Sequence, residues 1–163
     1  MNTSTPVRVA AFACAALLLA GCSTINPITT DRHYQPSDGF EVAIGDDAKA
    51  MNLLVITSAV DAPAVLTGTV YNGDFEPIDV SFSLDGTTFV DVAVPALGSA
   101  VLGPDGTVVE GVATAAPGGI AQVMIRSDAT GQFSAPVPVV DGTLPEYRDI
   151  VDALPTLQPD AAE

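Results

Sequence analysis

The stretch "IDVSFSL", residues 78–84, runs into "DG" at 85–86 and then into "TTFVDVAV", residues 87–94. Ile78, Val80, Phe82 and Leu84 alternate with Asp79, Ser81 and Ser83. A period of two places the apolar residues on one face of a strand and the polar ones on the other. Asp-Gly between two such runs favours the tight turn whose twist matches paired strands. The stretch therefore predicts a half-buried antiparallel hairpin.

The same texture extends outward on both sides. Phe40, Val42 and Ile44 alternate with Glu41 and Ala43. "AMNLLVITSAV", residues 50–60, is a denser apolar run that suits a central strand buried on both faces. "AVLTGTVYN", residues 64–72, precedes a turn at Gly73-Asp74 that Pro77 closes. Downstream, "GPDGT" between "SAVL" and "VVEGV" predicts a second hairpin, residues 99–112. After a loop containing "APGG", "AQVMIRS" and "FSAPVPVV" predict a last pair joined around Ala129–Gln132. Strand candidates recurring roughly every 8–12 residues between Gly, Pro and Asp indicate an all-β sandwich. The expectation is one immunoglobulin-like antiparallel β-sandwich over residues 39–142.

Residues 143–163, "TLPEYRDIVDALPTLQPDAAE", differ. Tyr147, Ile150, Val151 and Leu154 fall at helical spacing, with Pro145 near the start and Pro155 after the end. The segment reads as a short helix that docks on the domain or on a partner, or as a Pro-rich tail.

The opposite end of the chain addresses the protein. A short polar start carries Arg8, and an apolar stretch from Val9 to Ala20 follows. That stretch is shorter than the roughly 20 apolar residues a bilayer span needs, and has the layout of an export signal. It closes on Leu19-Ala20-Gly21-Cys22, a close match to a bacterial lipobox, which predicts a signal peptide over residues 1–21 and a diacylglyceryl group on Cys22. Cleavage there removes Cys14 and leaves Cys22 as the one mature cysteine, so no internal disulfide forms and lipidation accounts for the odd thiol. Two acyl chains anchor stably where one does not. Residues 22–38 are then the lipidated cysteine and a polar tether, "STINPITTDRHYQPSD" after the cysteine.

Composition excludes several partners. The mature chain carries Arg32, Lys49, Arg126 and Arg148 against twenty acids. Such a field repels nucleic acid, so no nucleic-acid partner is expected. With 48% hydrophobic residues and alternating runs, the chain folds despite that charge. A single lysine amid abundant Ala, Val, Asp, Gly and Pro suits a high-GC bacterial source.

Catalytic chemistry finds few footholds. A serine or cysteine nucleophile needs a positioned base, and the only histidine, His33, lies in the tether. Nucleophile-elbow, phosphate-loop and zinc-protease motifs are missing, and no spacing singles out a carboxylate pair. No enzyme activity and no cofactor are expected. Asp46-Asp47, Asp74 with Glu76, and Asp105 are calcium candidates if their loops converge, although single Asp residues in turns ordinarily serve turn chemistry. Copper(I) takes thioether and imidazole ligands, for which the chain offers Met51, Met124 and His33. Methionine in an apolar strand run is ordinarily core filler.

These pieces together resemble a known group. The lipobox, the tether with Tyr34 and Asp38-Gly39, "MNLLVITS" followed by "LTGTVYNGDFEPIDV", and "PGGIAQVMI" with "GQFSAPVPVV" are similar to small actinobacterial envelope lipoproteins of the LpqE-like group. That group resembles, more remotely, periplasmic copper chaperones built on a cupredoxin-like sandwich. Their copper ligands are a spaced set of His and Met within the domain. This domain has no histidine, and its two methionines do not reproduce the set. The resemblance implies an immunoglobulin-like or cupredoxin-like β-sandwich at the outer face of the cell membrane. The expected role is a non-enzymatic binding or structural module whose partners are the membrane, through its lipid, and an envelope protein or cell-wall component. The alternative is a copper- or other metal-handling lipoprotein.

Overall fold

The computed structural model describes residues 39–157, with side chains through Leu154. The signal peptide and tether expected over 1–38, Cys22 and His33 with them, and residues 158–163 lie outside the described residues. Nine strands and one helix follow in order among the described residues: β1 Phe40–Ala43, β2 Ala48–Thr57, β3 Pro63–Asn72, β4 Ile78–Ser83, β5 Val90–Val94, β6 Ser99–Leu102, β7 Val109–Val112, β8 Ile120–Ser127, β9 Gly131–Val140 and α1 Pro145–Leu157.

The strands build an all-β sandwich. One layer holds β1, β2, β3, β6 and β7, and the other runs β5–β4–β8–β9. The chain changes layer between β3 and β4, between β5 and β6, and between β7 and β8, the Greek-key pattern of immunoglobulin-type sandwiches. The inward rows, among them Leu53, Val55, Leu66, Val70, Val80, Phe82, Val92 and Ile125, form one core.

The ladders are antiparallel with one exception: β9 joins β2 in parallel at Val55↔Val139 and Ile56↔Val140, nearly closing one side of the sandwich. Two prolines explain why this junction is so short. Val139 exchanges backbone hydrogen bonds with Gly118 and Gly119, so residues of its parity in β9 face β8. Pro136 and Pro138 have the opposite parity, and their missing N–H groups fall on the other edge. Pairing on that edge begins only beyond them.

β2 departs from a plain two-faced buried strand. Its register on β3 slips between Met51 and Leu54, where two residues face one, and Asn52 adopts φ 54°. This bulge switches the inward parity from Ala48 and Ala50 to Leu53 and Val55. Across from it Gly68 has φ 148°, and a Cβ there would lie 2.9 Å from both the Leu53 side chain and the Met51 carbonyl. Only glycine fits that approach.

The "GPDGT" segment is not a hairpin. β6 and β7 pair with β3, not with each other: β6 opposite Gly68–Tyr71 and β7 opposite Pro63–Leu66. They are two pieces of one edge strand, interrupted by an excursion that Gly103, Gly106 and Thr107 close with backbone hydrogen bonds. The ten-residue β3 demands a partner of matching length, and burial of Leu102 and Val109 places both pieces along it.

The β4–β5 hairpin forms, with Phe82 opposite Val90, but its connection is wider than a two-residue Asp-Gly turn. Asp85 accepts from the Thr87 and Thr88 N–H groups at 2.8 Å each, and the Ser83 hydroxyl accepts from Gly86 N–H. These side chains take the donors that a tight ladder would use. Leu84 drops into the core against Gly111 of β7.

Helix α1 lies on the outer face of β2 and β3. Tyr147, Ile150, Val151 and Leu154 form one stripe that covers Ile56 and Val65. This is why the second half of β2 is buried on both faces. The helix continues to Leu157 and so includes Pro155, one turn further than the proline suggests.

Candidate functional site

The strand directions gather four connections at one end: residues 44–47, 73–77, 95–98 and 128–130. Backbone hydrogen bonds knit them, Gly73 N–H to Asp47 O and Leu97 N–H to Asp74 O, both at 2.8 Å. Asn72, fully buried at the end of β3, is the hub. Its Nδ2 donates to the carbonyls of Glu76 at 2.8 Å and Pro95 at 3.1 Å, and its Oδ1 accepts from Asp74 N–H at 2.9 Å. One amide thus fixes two loops. On the other side the buried Ser127 hydroxyl donates to Ile44 O at 2.8 Å and accepts from Thr130 N–H.

Between these loops opens a cleft of about 290 Å³. Ile44, Pro77, Ile78 and Ala129 contribute apolar surface to it, and Asp46, Asp47, Asp74, Asp79 and Asp128 line its rim. Beside it the loops present two apolar side chains to water: Phe75 is 82% exposed and Leu97 58%. The Phe75 N–H is held by its neighbour's carboxylate, Asp74 Oδ1, at 2.6 Å. Leu97 has φ 49°, a left-handed conformation uncommon for a bulky side chain. The nearby Lys49 ammonium is drawn to Glu41 at 3.6 Å.

The calcium candidates divide. Asp46, Asp47 and Asp74 converge on the cleft, whereas Asp105 lines a separate groove beside α1. Among the described residues no three His, Cys, Asp or Glu side chains are placed to hold a metal ion. Met51 sits on the outer face of one layer, paired with Thr69, and Met124 on the outer face of the other, paired with Ser134. The core lies between them, so the two thioethers cannot share a copper ion. His33 and Cys22 lie outside the described residues.

Sequence reasoning missed Asn72 and Phe75. A signal was present: Phe75 stands alone between Asp74 and Glu76 in a turn, out of phase with any strand alternation. No family model matches the chain, and no curated protein matches it either.

Proposed function

We propose that this protein is a non-catalytic module of a bacterial cell envelope, tethered by lipid at the outer face of the membrane and acting by binding a neighbouring protein or wall component. The observation that carries the reading is Leu19-Ala20-Gly21-Cys22 at the end of the apolar stretch Val9–Ala20. The resemblance to small envelope lipoproteins supports it. So does the polar composition of residues 23–38, "STINPITTDRHYQPSD", between that cysteine and the domain. The mechanism is positional: the anchor confines the domain to a thin layer above the membrane, which raises its effective concentration toward partners there.

The test is an intact mass of the full-length protein purified from bacterial membranes, with and without Cys22→Ser. A diacylglyceryl-sized addition on the wild type and not on the variant supports the reading. An unmodified Cys22 in the wild type overturns it.

A further inference from the structure

We infer that the loop end organised by Asn72 docks on a basic protein surface, which receives Phe75 and Leu97 in an apolar recess and sends a lysine or arginine side chain into the adjacent cleft. This deepens the binding-module reading above and rests on it. The backbone that carries Phe75 is held in place. The loop beneath it is pinned from both sides, by Asn72 to Glu76 O and by Asp74 Oδ1 to its own N–H. Leu97 is tied to the same loop through its N–H to Asp74 O. The two side chains therefore stand on adjoining, cross-braced loops, and aromatic residues are enriched among the anchors of protein contact surfaces.

Charge selects the occupant. Asp46, Asp47, Asp74, Asp79 and Asp128 rim a cleft that also has apolar surface, a shape suited to an aliphatic stem ending in a cationic head. The same acids repel anionic lipid headgroups. A second copy of this chain would set acid against acid. A basic protein surface is the partner chemistry that satisfies both the apolar pair and the acidic rim.

The probe is a short fluorescein-labelled peptide alternating arginine and leucine, titrated onto the full-length protein in phosphatidylcholine nanodiscs, with empty nanodiscs as background. Binding should weaken with salt. It should also fall at least about tenfold in Phe75→Ser plus Leu97→Ser and in Asp46→Asn plus Asp47→Asn. Val60→Ser plus Val112→Ser, at exposed apolar positions of the opposite end, should leave it unchanged. The inference is overturned by no binding above background, by equal binding of the Phe75 variant, or by equal loss in the opposite-end variant. It is also overturned if Phe75 instead drives association with anionic nanodiscs or self-association of the protein. The Cys22 mass experiment judges the anchor independently, so failure of one is distinguishable from failure of the other.

Discussion

Asn72 holds together two loops, residues 73–77 and 95–98, that share no other side-chain bond of this kind among the described residues. Replacing it with alanine strips partners from the Glu76 and Pro95 carbonyls and the Asp74 N–H. Each buried group left unsatisfied costs on the order of 1–3 kcal/mol, and water reaches part of this loop end. Asn72→Ala is therefore expected to destabilise by about 3 kcal/mol, read as a shift of the urea midpoint. Asp85 acts on stability through protonation. The Thr88 and Thr87 backbone N–H groups, with the Ser83 hydroxyl, hold its carboxyl far below the usual carboxylate value of 3.8. A depressed folded pKa contributes stability that is present above the unfolded value and lost as pH falls through the folded one. Stability should thus decline below about pH 4, and Asp85→Asn should flatten that decline in unfolding curves taken between pH 2 and 6. Burial raises the Glu110 pKa, the opposite sign: its contribution is greatest at low pH and is lost as pH rises through the folded value. At this scale the sequence was half legible. Asp85-Gly86 announced a turn, but that its carboxylate would bind Thr87 and Thr88 and widen the loop depended on where Leu84 found room in the core.

Among the elements, α1 shows how a surface helix completes a sheet. Its apolar stripe was readable from spacing, and its resting place on Ile56 and Val65 explains an otherwise puzzling run of apolar residues in β2. Leu154 is 4% exposed at the centre of that contact. Leu154→Ala should cost about 2–3 kcal/mol, the lower part of the range for buried leucine, because a helix on the outer face can settle inward. Thermal unfolding monitored by circular dichroism checks this. The β6–β7 edge carries the converse lesson. Gly, Pro and Asp in "GPDGT" mark a break in the strand, but a break permits either reversal or continuation. Here β3 is long enough to pair with both pieces in turn, and continuation prevails. The bulge at Asn52 is likewise invisible in a hydrophobic pattern, since "MNLLV" satisfies either parity until a neighbouring strand imposes one.

For the molecule as a whole, net charge works against the compact state. A chain of formal charge −15 repels itself in the compact state. Screening relieves this as the Debye length shrinks from about 30 Å at 0.01 M salt to about 3 Å at 1 M. Melting temperature should therefore rise by several degrees across that range, and scanning calorimetry at both ends of it checks the sign. Sequence alone determined what depends on local order and composition: the alternation that makes strands, the Gly, Pro and Asp that separate them, the apolar stripe of α1, and the acidity of the chain. Tertiary structure decided what depends on residues distant in the chain meeting. It set the parallel junction of β9 with β2 beyond Pro136 and Pro138, and the division of one edge between β6 and β7. It placed Met51 and Met124 on opposite outer faces, and it gathered five aspartates around one cleft with Phe75 beside it. Strand formation follows from a side chain's immediate neighbours, whereas a site follows from which loops share an end of the sandwich, and only the order and direction of the strands determine that.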